Sequence, residues 1–423
     1  LQQISQLVNK PGLERINGLL QEMGDPHHNL TCIHVAGTNG KGSTSLIIAD
    51  ILIKAGYRVG RFSSPHLHSY LERFTVNNEE ISEDHFFSLL DQAERGIEAM
   101  LRQGGERPTE FEVLTAMAFE YFCSEKVDIA VLEVGMGGTY DSTNVITPLV
   151  SVITGVDYDH TAFLGNTLAE IASNKAGIIK PGVPVIVGMM EDEPLGVITR
   201  QAAAMAAPLL RGSAINISRE SNPNLKGQEL DIEGNCWQMS NVHYSLRGDY
   251  QLGNLAVALK TIEIMRDRGY KADERSIRQS LSSLFIPGRL EVVQFNPPVI
   301  LDAAHNPQGA GALADSLDSL LPNRKKILVF GLVDDKERDS TIRPLGRNTR
   351  SAIITRPQGS RGGAWLGVQN RWQKIFPDIS VQAVENITGA VLKGLEMLSG
   401  DDYLVVTGSF YVLDEARRLL INN

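Results

Sequence analysis

The stretch GTNGKGSTS, Gly37 to Ser45, decides how this chain is read. It has the character of a phosphate-binding loop, yet it breaks the common G-x-x-x-x-G-K-[ST] spacing. Val35 stands where the first glycine belongs, and Gly42 follows the lysine where a hydroxyl belongs. Its flanks favour a nucleotide site over an incidental turn. TCIHVAG, Thr31 to Gly37, reads as a buried strand running into the loop. Ser43 to Ala55 reads as a helix, with Leu46, Ile47, Ile51 and Leu52 at three-to-four spacing and Gly56 ending it. A strand, a glycine turn and a helix N-terminus present backbone N–H groups and a positive dipole end to an anion. Lys41 adds a full charge, and Ser43 and Thr44 add hydroxyls.

Outward from the loop, short apolar runs alternate with helical stretches. YRVGRF is the next strand. Thr109 to Cys123 is a helix opened by a Thr109–Glu112 capping box. DIAVLEVG (Asp128 to Gly135) and LVSVITGV (Leu149 to Val156) are further strands. Between residues 205 and 247 short alternating runs and the turn signals NPN and EGN suggest a small antiparallel appendage. A helix, Leu252 to Arg268, follows, and FIPGRLEV reads as an interdomain joint. PVILDAAHNP, KKILVFGL, SAIITRP and DDYLVVTGS then restart the alternation. The expected fold is α/β: an N-terminal, P-loop-type, mostly parallel sheet flanked by helices, over 1–285, and a smaller Rossmann-like C-terminal domain, over 286–423.

The chain has 423 residues, more than one core usually serves. Its net charge of −10 argues against a nucleic-acid partner, which would require a basic face. A local cluster of cations still permits an anionic small ligand. No apolar run is long enough for a bilayer, so no membrane association is expected. Cys32, Cys123 and Cys236 are sparse and form no CxxC, which suits a reducing compartment. With no secretory pattern at the start, a cytoplasmic location is expected.

Several candidate residues fall at the ends of strands, where open parallel sheets gather their ligands. Lys41, Ser64 in FSSPHL, Glu133 in LEVGMGG and His160 in DYDH all do so. An acid closing an apolar strand beside a phosphate loop commonly holds Mg²⁺. Lys175 in NKAGIIKPG reads, by spacing alone, as a solvated helix lysine. Arg289 at the joint is placed to reach a phosphate. Asp302 and His305 close the first strand of the second domain and suit polar recognition or turn capping equally.

The order HVAGTNGKGS, SSPHL, LEVGMGGTYDSTN, DHTAFLGNT, NKAGIIKPG, PGR, LDAAHNP and TGSFY resembles the folylpolyglutamate synthase/dihydrofolate synthase family of the Mur-ligase superfamily. The resemblance runs from about Gly12 to Tyr411, and the glycine after the loop lysine is part of it. It implies that Thr38, Asn39, Gly40, Lys41, Gly42 and Ser43 hold the ATP phosphates, and that Ser64, Glu133 and His160 hold Mg²⁺. It implies a carbamylated Lys175, with Asn254, Arg289 and Asp302 contacting adenine, phosphate and ribose. Thr109, Glu112, Asp141, Ser142 and Thr143 would hold the pterin or folate, and His305 and Ser409 the incoming glutamate. Tyr250 departs from the histidine common in the family there.

The implied chemistry is ATP-dependent amide formation between L-glutamate and a folate or dihydropteroate, through an acyl phosphate, with Lys41, Lys175 and His305 as the catalytic set. Closure of two domains would exclude water from that intermediate. A monomer is expected, because one chain carries a complete set of motifs. Two alternatives are a Mur-type cell-wall amino-acid ligase and a P-loop ATPase without ligase activity.

Overall fold

The computed structural model describes residues 12–333, 337–359 and 362–421. Its chain forms two compact units, the first comprising Leu1–Ile217, Ile232–Ser240 and Gly253–Leu281, the second Ser218–Asp231, Asn241–Leu252 and Ser282–Asn423.

The first unit is built on an eight-stranded sheet. Its strands are β1 (Cys32–Ala36), β2 (Val59–Phe62), β3 (Phe74–Val76), β4 (Glu79–Glu80), β5 (Ile129–Glu133), β6 (Val150–Ile153), β7 (Val185–Val187) and β8 (Leu209–Arg211). The order is β4-β3-β2-β5-β1-β6-β7-β8. Every pairing from β2 to β8 is parallel, and only the β2–β3–β4 edge is antiparallel. The central strands are buried along their length, as a sheet covered on both faces requires. Helices α1 (Glu14–Glu22), α2 (Lys41–Lys54), α3 (Glu83–Arg102) and α4 (Glu110–Ser124) belong to this unit. Ile16, Leu19 and Leu20 of α1 share one core with Leu89 and Ile97 of α3 and Val113, Met117 and Phe119 of α4.

Two expectations change. Residues 209–211, read as part of an antiparallel appendage, form the parallel edge strand β8. The separate small sheet holds only β9 (Asn216–Arg219), β10 (Gln228–Glu233) and β11 (Gln238–Tyr244). Turn-rich composition hid a three-residue strand whose partner, β7, is supplied from outside the segment. Helix α2 also starts at Lys41 rather than Ser43, so the loop lysine is its first residue.

The second unit carries a six-stranded sheet. Its strands are β12 (Glu291–Phe295), β13 (Pro298–Asp302), β14 (Lys326–Phe330), β15 (Thr349–Ile354), β16 (Ser380–Ala383) and β17 (Tyr403–Thr407). The order is β12-β13-β17-β14-β15-β16, parallel apart from the β12–β13 hairpin. Both sheets are thus α/β, as the alternation of runs implied. Among the described residues no helix is long and apolar enough to cross a membrane.

Gly60 of β2 shows how tightly the helices lie on the first sheet. A Cβ there would sit 2.7 Å from Cδ1 and 2.9 Å from Cγ of Phe122 in α4. Gly60→Ala is expected to cost about 1–3 kcal/mol by overpacking. Urea unfolding checks this: the midpoint should fall while the slope stays the same.

Candidate active site

In the first unit the parallel register brings the expected residues to one edge. Val35 of β1 pairs with Glu133 of β5, and Ala36 with Ile153 of β6. The Gly37 loop, Glu133 and Thr154 therefore leave the sheet side by side. The loop is held by its neighbour. Thr38 N–H donates to the Gly155 carbonyl at 2.9 Å, and its hydroxyl donates to the Asp157 carbonyl at 3.1 Å. The Thr154 hydroxyl donates to the Asn39 carbonyl at 2.6 Å.

These contacts explain the glycines. Gly37 has φ +152° and Gly40 φ +85°, a region that costs L-residues strain. A Cβ on Gly37 would lie 1.9 Å from Thr154 Oγ1, and one on Gly40 2.3 Å from Asn254 Oδ1. Asn254, the expected adenine contact, is thus packed directly against the phosphate loop. Gly42 differs, because a Cβ there would meet the Glu133 carboxylate at an ordinary 3.6–3.8 Å. Lys41 Nζ curls over the loop, donating to the carbonyls of Gly37 (3.0 Å) and Thr38 (3.2 Å). Ser43 is buried in the first turn of α2.

Of the expected Mg²⁺ ligands, Glu133 is 3% exposed and accepts the Ser64 N–H at 3.3 Å. His160 is more open. It has φ +49° and caps a short helix, with Nε2 3.8 Å from Asp159 Oδ2. An acid at a strand end, a serine and an imidazole are a donor set that a hard cation retaining waters can use.

Lys175 is not the solvated lysine that its spacing suggests. It is 3% exposed, because its helix Leu168–Ala176 turns that face inward with Ile171 and Ala172. Burial pushes its ammonium down to about 7, helped by the nearby positive charge of Lys41 and opposed by Asp159 and Asp141. Asp141 is buried too, and accepts hydrogen bonds from the Met136 and Thr143 N–H groups, each at 3.0 Å, and from the Thr143 hydroxyl. Burial raises its pKa while these donors hold it down. His34 of β1 completes the chain, its Nε2 lying 2.8 Å from Thr143 Oγ1. Burial pushes that imidazole down to about 3, so it is neutral and donates from Nε2 to the threonine.

Thr109 and Glu112 form the expected capping box at the start of α4. Glu112 is also paired with Arg15, whose Nε and terminal nitrogen each lie 3.0 Å from a carboxylate oxygen. The buried Ser142 hydroxyl donates to Thr115 Oγ1 at 2.6 Å, since Thr115 itself donates to the Phe111 carbonyl.

In the second unit, Asp302 ends β13 opposite Thr407 of β17. Its buried carboxylate accepts the Leu290 and Ala304 N–H groups, each at 2.9 Å. Burial raises its pKa and Arg289 lowers it. The Arg289 guanidinium stacks 5.3 Å from the Phe410 ring centroid. His305 Nδ1 donates to the Ala303 carbonyl at 2.8 Å. Ser409 stands at the start of the helix Phe410–Ile421, 3% exposed, and among the described residues its hydroxyl has no hydrogen-bond partner. Asp302, His305 and Ser409 thus follow adjacent strand ends. Thr154, His34 and Asp157 were not singled out in the sequence, because an isolated Thr, His or Asp beside an apolar run carries no motif.

Comparison with known proteins gives the family. Residues 35–262 match the Mur ligase middle domain, and residues 288–410 the Mur ligase glutamate ligase domain. The dihydrofolate synthase/folylpolyglutamate synthase of Bacillus subtilis (strain 168) is 35% identical, over 97% of this chain and 95% of the relative. The chain belongs to the folylpolyglutamate synthase/dihydrofolate synthase family. A family member from Lacticaseibacillus casei, a folylpolyglutamate synthase, is also 35% identical, over 96% of this chain and 94% of its own. The Mycobacterium tuberculosis folylpolyglutamate synthase complexed with ADP and AMPPCP superposes with a TM-score of 0.91 at 31% identity, covering 97% of this chain and 95% of that one. E. coli FolC in complex with DHPP and ADP gives 0.87 at 28% identity, covering 99% and 95%.

The lowered Lys175 pKa has a measurable consequence. In the unfolded chain this lysine titrates near 10.5, and in the fold at about 7. Between those values the unfolded state binds the extra proton, so this residue makes stability rise with pH across that window. In CO₂-free buffer, Lys175→Met is expected to be most stabilised relative to wild type at pH 7 and below. The advantage should shrink as pH approaches 10. Urea midpoints across pH check it, and a difference independent of pH would mean that the buried lysine keeps its proton.

Proposed function

We propose that this chain is an ATP-dependent ligase that joins L-glutamate to a folate, to dihydropteroate, or to both. The observation that carries the reading is the Gly37 loop at the start of α2, with Lys41 and the buried Glu133 beside it, in a chain of this family. ATP is taken as substrate, with the loop from Thr38 to Ser43 cradling its phosphates and Lys41 neutralising the transferring group. Ser64, Glu133 and His160 would hold Mg²⁺, which supplies charge neutralisation on the phosphates. Asn254, Arg289 and Asp302 are assigned to adenine, phosphate and ribose. Thr109, Glu112, Asp141, Ser142 and Thr143 are assigned to the pterin end of the acceptor. Glu112 and Ser142 are already engaged by Arg15 and Thr115, so they serve best by fixing the walls of that site.

The reaction has two steps. A carboxylate oxygen of the acceptor attacks the γ-phosphorus, ADP leaves, and an acyl phosphate forms. The glutamate amine then attacks the acyl carbon, phosphate leaves, and the amine loses its proton. ATP is required because a carboxylate has no leaving group of its own. His305 and Ser409 are assigned to glutamate. The buried, unpartnered Ser409 hydroxyl at a helix N-terminus supports a carboxylate there. Lys175 is assigned as a carbamate, which its burial and depressed pKa support, since only the neutral amine adds CO₂. Residues 1–285 would serve ATP and the acceptor, and 286–423 would serve glutamate and lend Arg289 and Asp302 to the nucleotide. The three free cysteines support a reducing, cytoplasmic setting. We take the monomer as the working unit.

Phosphate release from ATP and Mg²⁺, dependent on L-glutamate, tests the assignment with dihydropteroate and a reduced folate offered separately. Release with one acceptor or both identifies the activity, and release with neither overturns the reading. Lys41→Ala is expected to lower turnover by at least roughly 10²–10³-fold with little change in stability. Normal turnover in that variant would remove the loop lysine from the mechanism.

A further inference from the structure

At the end of β1 opposite the phosphate loop, the chain makes a short turn, Asp25-Pro26-His27-His28. Asp25, His27 and His28 each bring one ligand atom to within 4.8 Å of the other two. It is the one such group of three His, Cys, Asp or Glu side chains among the described residues. The two imidazoles lie 4.0 Å apart, centroid to centroid, tilted by 43°. His27 is 7% exposed, and its Nδ1 is buried with no hydrogen-bond partner. A buried ring nitrogen without a partner is costly, and a structure that retains one calls for an explanation. The Asp25 carboxylate does not cap the helical turn that follows it.

We propose that Asp25, His27 and His28 form a binding site for one borderline divalent cation, Zn²⁺ being the natural occupant. Two imidazoles and a carboxylate are the donor set of a three-ligand zinc site with one position left for water. They are too nitrogen-rich for Mg²⁺ or Ca²⁺, which take oxygen ligands. Bonds of about 2.0–2.1 Å in a tetrahedron place ligand atoms about 3.3 Å apart. Asp25 is half-buried and His28 exposed, so their side chains have room to close from the spacing seen here. His27 is the fixed member, packed 5.9 Å from the Phe119 ring of α4. The Cys123 thiol of α4 donates to the Pro26 carbonyl at 3.0 Å, so the turn is anchored at two points. None of the three residues belongs to the ATP, folate or glutamate assignments. β1 separates them from the loop by five residues, about 16 Å of strand. A cation here would pin the turn that leads into the central strand.

The test uses untagged full-length protein, stripped with EDTA and returned to excess Mg²⁺ so that oxygen-rich sites are filled. Zn²⁺ is titrated against a chromogenic chelator. About one Zn²⁺ per chain is expected, weakened roughly 10–100-fold or more in His28→Ala and in Asp25→Asn. Zn²⁺ should raise the thermal midpoint of wild type and not of His28→Ala. Zinc-free ligase turnover should be the same in both. His28 is exposed, so its replacement leaves the core intact. Absence of Zn²⁺ binding by wild type overturns the proposal and leaves the two rings as an aromatic stack. Binding that is unchanged in both variants overturns it as well, because the ion then sits elsewhere.

Discussion

The hydroxyl of Thr154 is the contact on which the catalytic edge of the first unit depends. It reaches from the end of β6 to the Asn39 carbonyl, and it occupies the space that any side chain at position 37 would need. The loop turns through positive φ at Gly40 because glycine has no Cβ, and Asn254 of the helix Tyr250–Asp267 fills the space that a Cβ would take. Backbone N–H groups aimed at an anion are useful only if they need not reorganise when it arrives. Packing on two sides supplies that rigidity. The glycines, which look like flexibility in the sequence, are here the residues that permit the closest packing.

The same edge explains which parts of the fold were legible in the sequence. β1, β5, β6 and β13 are buried on both faces, so each reads as an unbroken apolar run. Thr109 announces the helix it caps, because a capping side chain is a local device. β8 and the buried face around Lys175 were not legible, for a shared reason. Leu209–Arg211 becomes a strand only because β7 offers a free edge, and Lys175 is buried only because other elements cover its helix. Both facts belong to the tertiary structure, and no local spacing encodes them. The candidate site divides likewise. Lys41 opens α2, and Glu133 and Asp302 end strands, at places that motif and pattern mark. Thr154 and His34 act through hydrogen bonds to partners more than 100 residues away.

Asp141 shows how the structure manages charge away from water. Burial raises its pKa, and four hydrogen-bond donors, the Thr143 hydroxyl and backbone at Met136, Thr143 and Gly135, oppose that. One of them, the Thr143 hydroxyl, is oriented by His34, whose own burial keeps it neutral. A neutral imidazole can donate from Nε2 and fix the direction of the threonine proton toward the carboxylate. A charged imidazole would bury an ion. The relay therefore links three buried polar side chains through hydrogen bonds, while the other ring nitrogen of His34, Nδ1, is buried with no partner among the described residues.

Lys175 presents the opposite problem, and its position shows how the carbamate assignment and the loop support each other. As an ammonium it is penalised twice, by burial and by repulsion from Lys41. As a neutral amine it escapes both penalties and becomes a nucleophile toward CO₂. As a carbamate it would carry the sign that Lys41 attracts, so the field that expels a proton would hold the product. Asp159 and Asp141 pull in the other direction, favouring the ammonium. A cation bound at Glu133 and His160 would add to the Lys41 field and oppose theirs. Under the assigned function, the state of Lys175 is therefore coupled to the charge gathered at the strand ends. The lysine that looked ordinary by spacing is buried within the field of the loop lysine.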